Sequence, residues 1–405
     1  MEKTAFRRYR FDRSELAGSL GDLGTLLPIA IAMVIFNGLN PLGLFLSIGI
    51  FYVISGMYFG ITVPVQPMKV IGAYAIATAM SADQILASSL LIGIFLLVVG
   101  MTGAIDLIRK WTPKPVIRGV QLSTGALLIS GGIKFILGTS KFQLLQNAAE
   151  PHLGVQSVGP LPVGLIIGIA GAAVTLLLLD NRKFPAGLIV VLGGLGTGLA
   201  LGAEFDFRAG MQTAFFHAPQ LLPFGFPAGA DFSYALLVLV LPQLPMTLGN
   251  AVLAYTDLSR DYFGDRSAGV TNRKVCVSMA LANFLSFFLG GMPLCHGAGG
   301  LAAHYRFGAR TAGSNLLIGF LFVILALFLG DHIIDFFNLL PMAVLGVLLI
   351  FAGSQLTLTI MDLEDRKDYF VATLILGITL ASNLAAGFLA GIVIAHFLRW
   401  KKLSI

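Results

Sequence analysis

Four stretches of this sequence set polar or titratable side chains into apolar surroundings: Gly21–Ile29 (GDLGTLLPI), Pro64–Lys69 (PVQPMK), Pro242–Ala251 (PQLPMTLGNA) and Met292–Arg310 (MPLCHGAGGLAAHYRFGAR). In the first, Glu15, Ser19, Asp22 and Thr25 recur at helical spacing and predict one polar stripe. Asp22 lies about 10 Å along that helix from Glu15, beyond the reach of the headgroups, where a carboxylate either pairs with a lysine or backbone for packing or carries a proton. In the second, Gln66, Pro67, Met68 and Lys69 open a short apolar segment. Proline suits a first helical turn, the free N–H groups there attract an anion, and Lys69 adds a full charge one turn in, unless it forms an ion pair with Asp22. In the third, Gln243, Thr247 and Asn250 fall on one helical face, for substrate contact or for helix–helix hydrogen bonds. In the fourth, Cys295, His296 and Gly297 lead into a glycine-rich turn whose amides can approach a ligand closely. His296 there is either a group titrating near neutral pH or a plain hydrogen-bond donor, and Arg306 and Arg310 read as cytoplasmic anchors. The fourth stretch is no P-loop, since no Gly-Lys-Ser/Thr follows.

The elements that must position these groups follow from composition. Hydrophobic residues make up 57% of the 405-residue chain and charged residues 11%, well below the quarter or so charged in a soluble domain. Apolar stretches near membrane-spanning length recur from Glu15 to Arg399. Their breaks at Pro, Gly and charge predict spans at 15–36, 40–60, 66–80, 83–105, 115–138, 160–180 and 184–203. A second series falls at 231–256, 272–291, 294–308, 312–330, 331–352, 366–381 and 383–399. The third and tenth are too short to cross alone. An all-α polytopic membrane protein of about fourteen segments is therefore expected, with no soluble domain and the basic N-terminal segment retained rather than cleaved as a signal.

Charge distribution tests that count. With a cytoplasmic N-terminus, 22 of the 26 basic residues fall on the inside, from Lys3, Arg7, Arg8, Arg10 and Arg13 through Arg109, Lys110, Arg182 and Lys183 to Arg399, Lys401 and Lys402. The exceptions are Lys141 and Arg208 outside, and Lys69 and Lys134 within spans. The net charge of +6 is thus a topology signal of a plasma (inner) membrane protein with both termini cytoplasmic, rather than a nucleic-acid surface. Two cysteines, Cys276 and Cys295, without CxxC spacing, predict neither a disulfide framework nor a metal site, and no cofactor is expected. Seven spans per half predict an inverted repeat, 1–203 and 231–405 joined by an extracytoplasmic linker at 204–230, with spans three and ten as broken helices. If both begin near the midplane, their N-terminal dipoles and Lys69 face one cavity, and neither short span carries a carboxylate beside it. Such a cavity favours an anion.

The same four stretches, in order and spacing over nearly the whole membrane region, resemble the signature segments of the molybdate transporter family, relatives of the SulP sulfate permeases. The resemblance implies the seven-plus-seven fold shared with sulfate permeases and uracil transporters, in which a core domain (spans one to four and eight to eleven) moves against a gate domain (five to seven and twelve to fourteen). Sulfate permeases usually append a soluble regulatory domain, whereas here the sequence reaches Ile405 six residues after Arg399, so none is expected. Nucleobase transporters place carboxylates in spans eight and ten, whereas span eight here has none between Asp231 and Asp257.

An imported dianion moves against about 4.6 kcal/mol per 100 mV of inside-negative potential, so uptake needs a coupling ion. The sequence reading is molybdate import by proton symport with elevator-like alternating access. Asp22 is the proton carrier, and Thr25, Gln66, Pro67, Met68, Lys69, Gln243, Thr247, Asn250, Cys295, His296 and Gly297 form the oxyanion site. Tungstate and sulfate stay open as substrates, as does a homodimer. A channel or sulfate permease of the same fold is one alternative. Another is a magnesium-dependent membrane prenyltransferase using Asp257, Asp261 and Asp265 with Asp362, Glu364, Asp365 and Asp368, which are otherwise solvated loop residues.

Overall fold

The computed structural model describes residues 8–104, 113–179, 181, 185–203 and 216–398. Lys3, Arg7, Arg109, Lys110, Arg182, Lys183, Arg208, Arg399, Lys401 and Lys402 lie outside the described residues.

The first span is two helices, α1 (Arg13–Ser19) and α2 (Leu23–Asn37), bent by 43°. The bend is where the chain passes residues 303–309 with no room for side chains. A methyl group on Gly18 would lie 2.1 Å from the Ala309 nitrogen, and one on Gly21 2.8 Å from the Phe307 ring. The single stripe expected from Glu15, Ser19, Asp22 and Thr25 is therefore split. Glu15 and Ser19 stay on α1, Thr25 goes to α2, and Asp22 stands at the N-cap between them. Glu15 is buried and its carboxylate accepts the amides of Arg310 and Thr311 at 3.1–3.2 Å.

Then come α3 (Pro41–Phe59), an extended run ending in β1 (Gln66–Pro67), α4 (Lys69–Thr78) and α5 (Ala82–Thr102). They are followed by α6 (Lys114–Leu137), the short α7 (Lys141–Leu145), the hairpin β2 (Ser157–Val158) and β3 (Leu161–Pro162), α8 (Val163–Leu178) and α9 (Ala186–Ala200). The second series opens with α10 (Gly229–Ala235), α11 (Leu241–Met246) and α12 (Tyr255–Phe263), one long element interrupted by π-helical stretches at 236–240 and 247–254. Pro242 and Pro245 have no N–H to donate, which loosens the ladder around them. After it come α13 (Asn272–Leu289), β4 (Leu294–Cys295), α14 (Ala298–Arg306), α15 (Ala312–Leu329) and α16 (Ile333–Asn338). The series closes with α17 (Met342–Thr357), continued by a 3₁₀ turn to Asp362, then α18 (Arg366–Ala381) and α19 (Leu384–Phe397).

Among the described residues, six helices are long and apolar enough to cross a membrane, seven counting the bent pair. The expected boundaries match to within a few residues except at the eighth and twelfth spans. The eighth was expected to end at 256 but continues through α12 to Phe263. Residues 331–352 were expected to form the twelfth, but Pro341 ends the chain's run through α16, and the spanning helix starts at Met342. Glu150, from a loop the sequence left unread, fixes that start by accepting the amides of Met342 (2.7 Å) and Ala343 (2.8 Å).

The packing pairs the two series reciprocally. α3 lies along α15, α5 along α13, and α6 along α17. In each of the first two pairs, the second span of one series meets the fourth span of the other. Glycines make the last pairing close: Gly125 faces Gly353 and Gly132 faces Gly346, where an added methyl would lie 2.4–2.6 Å from the opposing carbonyl oxygen. Such backbone approach supplies van der Waals contact where lipid gives helices no hydrophobic drive to associate.

Candidate functional site

The site is organised by two extended segments that cross. β1 and β4 pair antiparallel, Gln66 opposite Cys295 and Pro67 opposite Leu294, and each leads at once into a short helix, α4 and α14. Proline was expected in the first turn of α4. Instead Pro67 is in the strand, and the helix starts at Lys69 with Met68 as N-cap. The physical reason is that backbone polar groups here have no water, so the chain before each half-helix satisfies itself across the crossing. Two asparagines complete that accounting. Asn315 takes the Val63 amide (2.8 Å) and donates to the Val63 carbonyl (2.8 Å), while Asn283 does the same for Leu294 (3.1 and 2.8 Å).

The two helix starts differ. At α4, Gln243 Oε1 accepts from the amides of Val70 (3.0 Å) and Ile71 (3.2 Å), and its Nε2 donates to Thr247 (2.9 Å). The sequence offered those amides to an anion, and a side chain from α11 already holds them. At α14 the N-cap is Gly297, which has no side chain to cap with, so the start of this helix keeps its amides and its partial positive charge for whatever lies before it.

Asp22 is buried and accepts a 2.7 Å hydrogen bond from Gln66 Nε2. No ion pair to Lys69 forms among the described residues. Gln66 Oε1, also buried, has no partner among them. Two glycines make room for this pair: a methyl on Gly300 would lie 2.5 Å from Asp22 Oδ2 and 2.8 Å from Gln66 Nε2, and one on Gly297 2.0 Å from Gln66 Oε1. Sequence reasoning had weighed Gly297 for its amide, and its missing side chain proves as important.

Lys69 opens onto a cavity of about 190 Å³. Thr25, Ile29, Lys69, Met246, Asn250 and Gly299 form one wall. Across it stand Gln121 and Leu128 of α6, and Ala352, Gln355, Leu356 and Thr359 of α17 and its 3₁₀ turn. A small recess beside Lys69 adds Gln66, Gln243, Thr247 and Cys295. Neither lining contains a carboxylate. Of the expected site residues, Thr25, Gln66, Lys69, Gln243, Thr247, Asn250 and Cys295 converge here, with Asp22 one bond behind. Pro67 and Met68 belong to the buried crossing. His296 is a strut: its Nδ1 donates to the Pro64 carbonyl (2.9 Å), its Nε2 meets the Ser278 hydroxyl (3.2 Å), and Phe51 and Tyr255 stack on it. Its amide is spent on the Met279 sulfur (3.3 Å).

Sequence reasoning passed over Gln121, Gln355 and Thr359. Gln121 accepts from Thr359 (3.0 Å) and from Arg118 (2.8 Å), and Arg118 and Lys114 hold Asp362, so the polar side of this wall is one network. An amide inside an apolar span was the available signal, the same one that drew notice to Gln243. The two acidic stretches weighed for magnesium do not converge. Among the described residues no group of three or more His, Cys, Asp or Glu side chains is placed to hold a metal.

Crossed half-helices facing a cavity between two helical bodies define a class. The transmembrane domain of the cyanobacterial bicarbonate transporter BicA superposes with a TM-score of 0.63 at 17% identity, covering 95% of this chain and 97% of that one. The murine anion transporter Slc26a9, in its inward-facing state, gives 0.66 at 15% identity over 98% of this chain and 69% of that one. The fold is the seven-plus-seven fold of the SulP transporters. A sequence model described as "Molybdate transporter of MFS superfamily" matches residues 14–128 and 235–356. Molybdate transporter 2 of Arabidopsis thaliana is 30% identical over 420 residues, covering 96% of this chain and 88% of that protein. The chain belongs to the molybdate transporter family, and it is an integral membrane transporter rather than an enzyme.

Proposed function

We propose that the protein imports molybdate by proton symport, binding the dianion in the cavity beside Lys69. The observation that carries this reading is the chemistry of that cavity. Lys69 and the uncapped start of α14 bring positive charge to a space lined by amides and hydroxyls and free of carboxylates. The names of the relatives make molybdate the first substrate to test, with sulfate and tungstate as competitors of the same shape and charge.

Asp22 and Gln66 support the proton coupling. While Asp22 is ionised, Gln66 must turn its amide nitrogen toward it, leaving Oε1, an acceptor, beside Gly297. A proton on Asp22 makes it a donor. Gln66 can then rotate its amide, accept from Asp22, and present N–H groups where Oε1 now sits. One proton thereby removes a negative charge near the site and converts a repelling acceptor into a donor for an oxyanion. Substrate and proton then favour each other's binding, which symport requires.

Spans one to four and eight to eleven form the core that carries the site in this reading, with 1–203 and 231–405 as its inverted repeats. Elevator-like movement of the core against the gate exposes the cavity alternately across a plasma membrane, the termini being cytoplasmic. The test is molybdate binding to purified protein, with sulfate, phosphate and uracil as competitors. Lys69→Ala should abolish binding and Lys69→Arg retain part of it. Equal binding of sulfate would reassign the substrate within the same architecture, and binding unaffected by Lys69→Ala would sink the site assignment.

A further inference from the structure

Four basic residues depart from the rule that places the other 22 on one side of the membrane: Lys69, Lys134, Lys141 and Arg208. Arg208 lies outside the described residues. Lys69 faces the cavity described above. Lys134 and Lys141 line a second cavity, of about 360 Å³, on the same seam between core and gate. Its walls continue those of the first. α2 contributes Thr25 and Ile29 to the inner cavity and Ile35 and Phe36 to the outer one. α4 contributes Lys69 to the inner and Ala73, Ile76 and Ala77 to the outer, and Leu128 of α6 belongs to both. From Lys69 to Ala77 is about 12 Å along α4. The outer lining also holds the hydroxyl side chains of Ser130, Thr139 and Ser140, and no carboxylate. Neither lysine forms an ion pair among the described residues. Glu150, the acidic residue of the neighbouring loop, is turned away and occupied by the start of α17.

Lys134 stands exposed in the last turn of α6 and Lys141 exposed at the start of α7, both against the bias that sets the other 22 basic residues on the opposite side. We propose that the cavity at Lys134 and Lys141 is an oxyanion-collecting vestibule, a first docking site from which a tetrahedral dianion passes Leu128 to reach Lys69. The inference rests on the transport reading above and deepens it. Two like charges in a low-dielectric cleft focus a field on an approaching anion and raise its local concentration and its rate of association. The buried Leu128 is shared by the two cavities, and the stacked Phe36 and Phe135 (ring centroids 4.6 Å apart) line the vestibule.

The experiment is initial-rate molybdate uptake into phosphatidylcholine liposomes by the wild type, Lys134→Gln, Lys141→Gln and the double variant, at ionic strengths from about 0.01 to 1 M. The Debye length falls over that range from about 30 to about 3 Å. The double variant should lose about tenfold in kcat/KM at low ionic strength, within the range that electrostatic steering supplies, and approach the wild type at high salt. Lys134→Arg and Lys141→Arg should keep the wild-type slope. A loss independent of salt, or no loss, overturns the proposal. The same lysines could instead hold lipid phosphate. In that case the double variant would lose co-purifying phospholipid with its kcat/KM unchanged, which also overturns it. Wild-type protein that takes up no oxyanion at all would defeat the transport reading itself, a distinct result from salt-insensitive variants in a working transporter.

Discussion

Gln66 carries two polar atoms in one buried side chain, one bonded to Asp22 and the other without a partner. Native interiors rarely leave such an atom unpaired, since the cost is about 1–3 kcal/mol. Here the orphan is the group that the proposed proton switch would exchange. Asp22→Asn removes the proton site and keeps the shape. Wild-type molybdate affinity should weaken by roughly tenfold between pH 5.5 and 8, the value of about one hydrogen bond to a charged ligand. In Asp22→Asn the profile should be flat and uphill accumulation lost, while Gln66→Met should bind weakly at every pH. Isothermal titration across that pH range, paired with uptake against a gradient, reads both effects. A flat wild-type profile, or accumulation by Asp22→Asn, would refute the coupling.

At the scale of elements, polar side chains from elsewhere in the fold meet several helix starts. Gln243 closes α4, Glu15 precedes α15, Glu150 closes α17, and Gly297 leaves α14 open. Three of these four starts are thus met from within the protein, and of the two that face the cavity, α4 and α14, only α14 is left bare. Glu150 gives this a pH signature. Burial pushes its carboxyl up from the ordinary range to about 7, against the pull of the Ala343 and Met342 amides. The folded state then holds that proton more tightly than the unfolded chain does. The contribution of this group to stability should therefore fall as pH rises from about 4.5 toward 7 and level off above. The free, buried Cys276 and Cys295 allow unfolding to be followed by a thiol-reactive dye. Melting temperatures from pH 5 to 8 should show the decline in the wild type and not in Glu150→Gln. A parallel decline in the variant would assign the effect elsewhere.

For the whole molecule, the proposed elevator movement requires the proposed core and gate to slide while packed. In that proposal α2 and α9 lie on opposite sides, and they meet through Gly24 and Gly187, where a methyl on Gly187 would lie 2.3 Å from the Gly24 Cα. A crossing without side chains presents little to interlock. Gly187→Leu should wedge it and arrest transport while molybdate binding stays within a few-fold of wild type. Full uptake by that variant would argue that this contact does not move.

Hydropathy, the bias of basic residues and four polar stretches carried the span count, nearly every boundary and the convergence on Lys69, because a bilayer imposes length, charge asymmetry and a cost on each buried polar group. The sequence could not reveal which polar groups were already taken. Gln243 is distant in sequence from the α4 amides it caps, as are His296 from Pro64 and Glu150 from Met342. The bend at Gly18 and Gly21, and the wall contributed by Gln121, Gln355 and Thr359, also depend on which helices meet. Amino-acid type says that an anion is welcome in this membrane protein. Only the crossing of the two half-helices decides which donors the fold has already used, since a hydrogen bond satisfied across the fold is invisible along the chain.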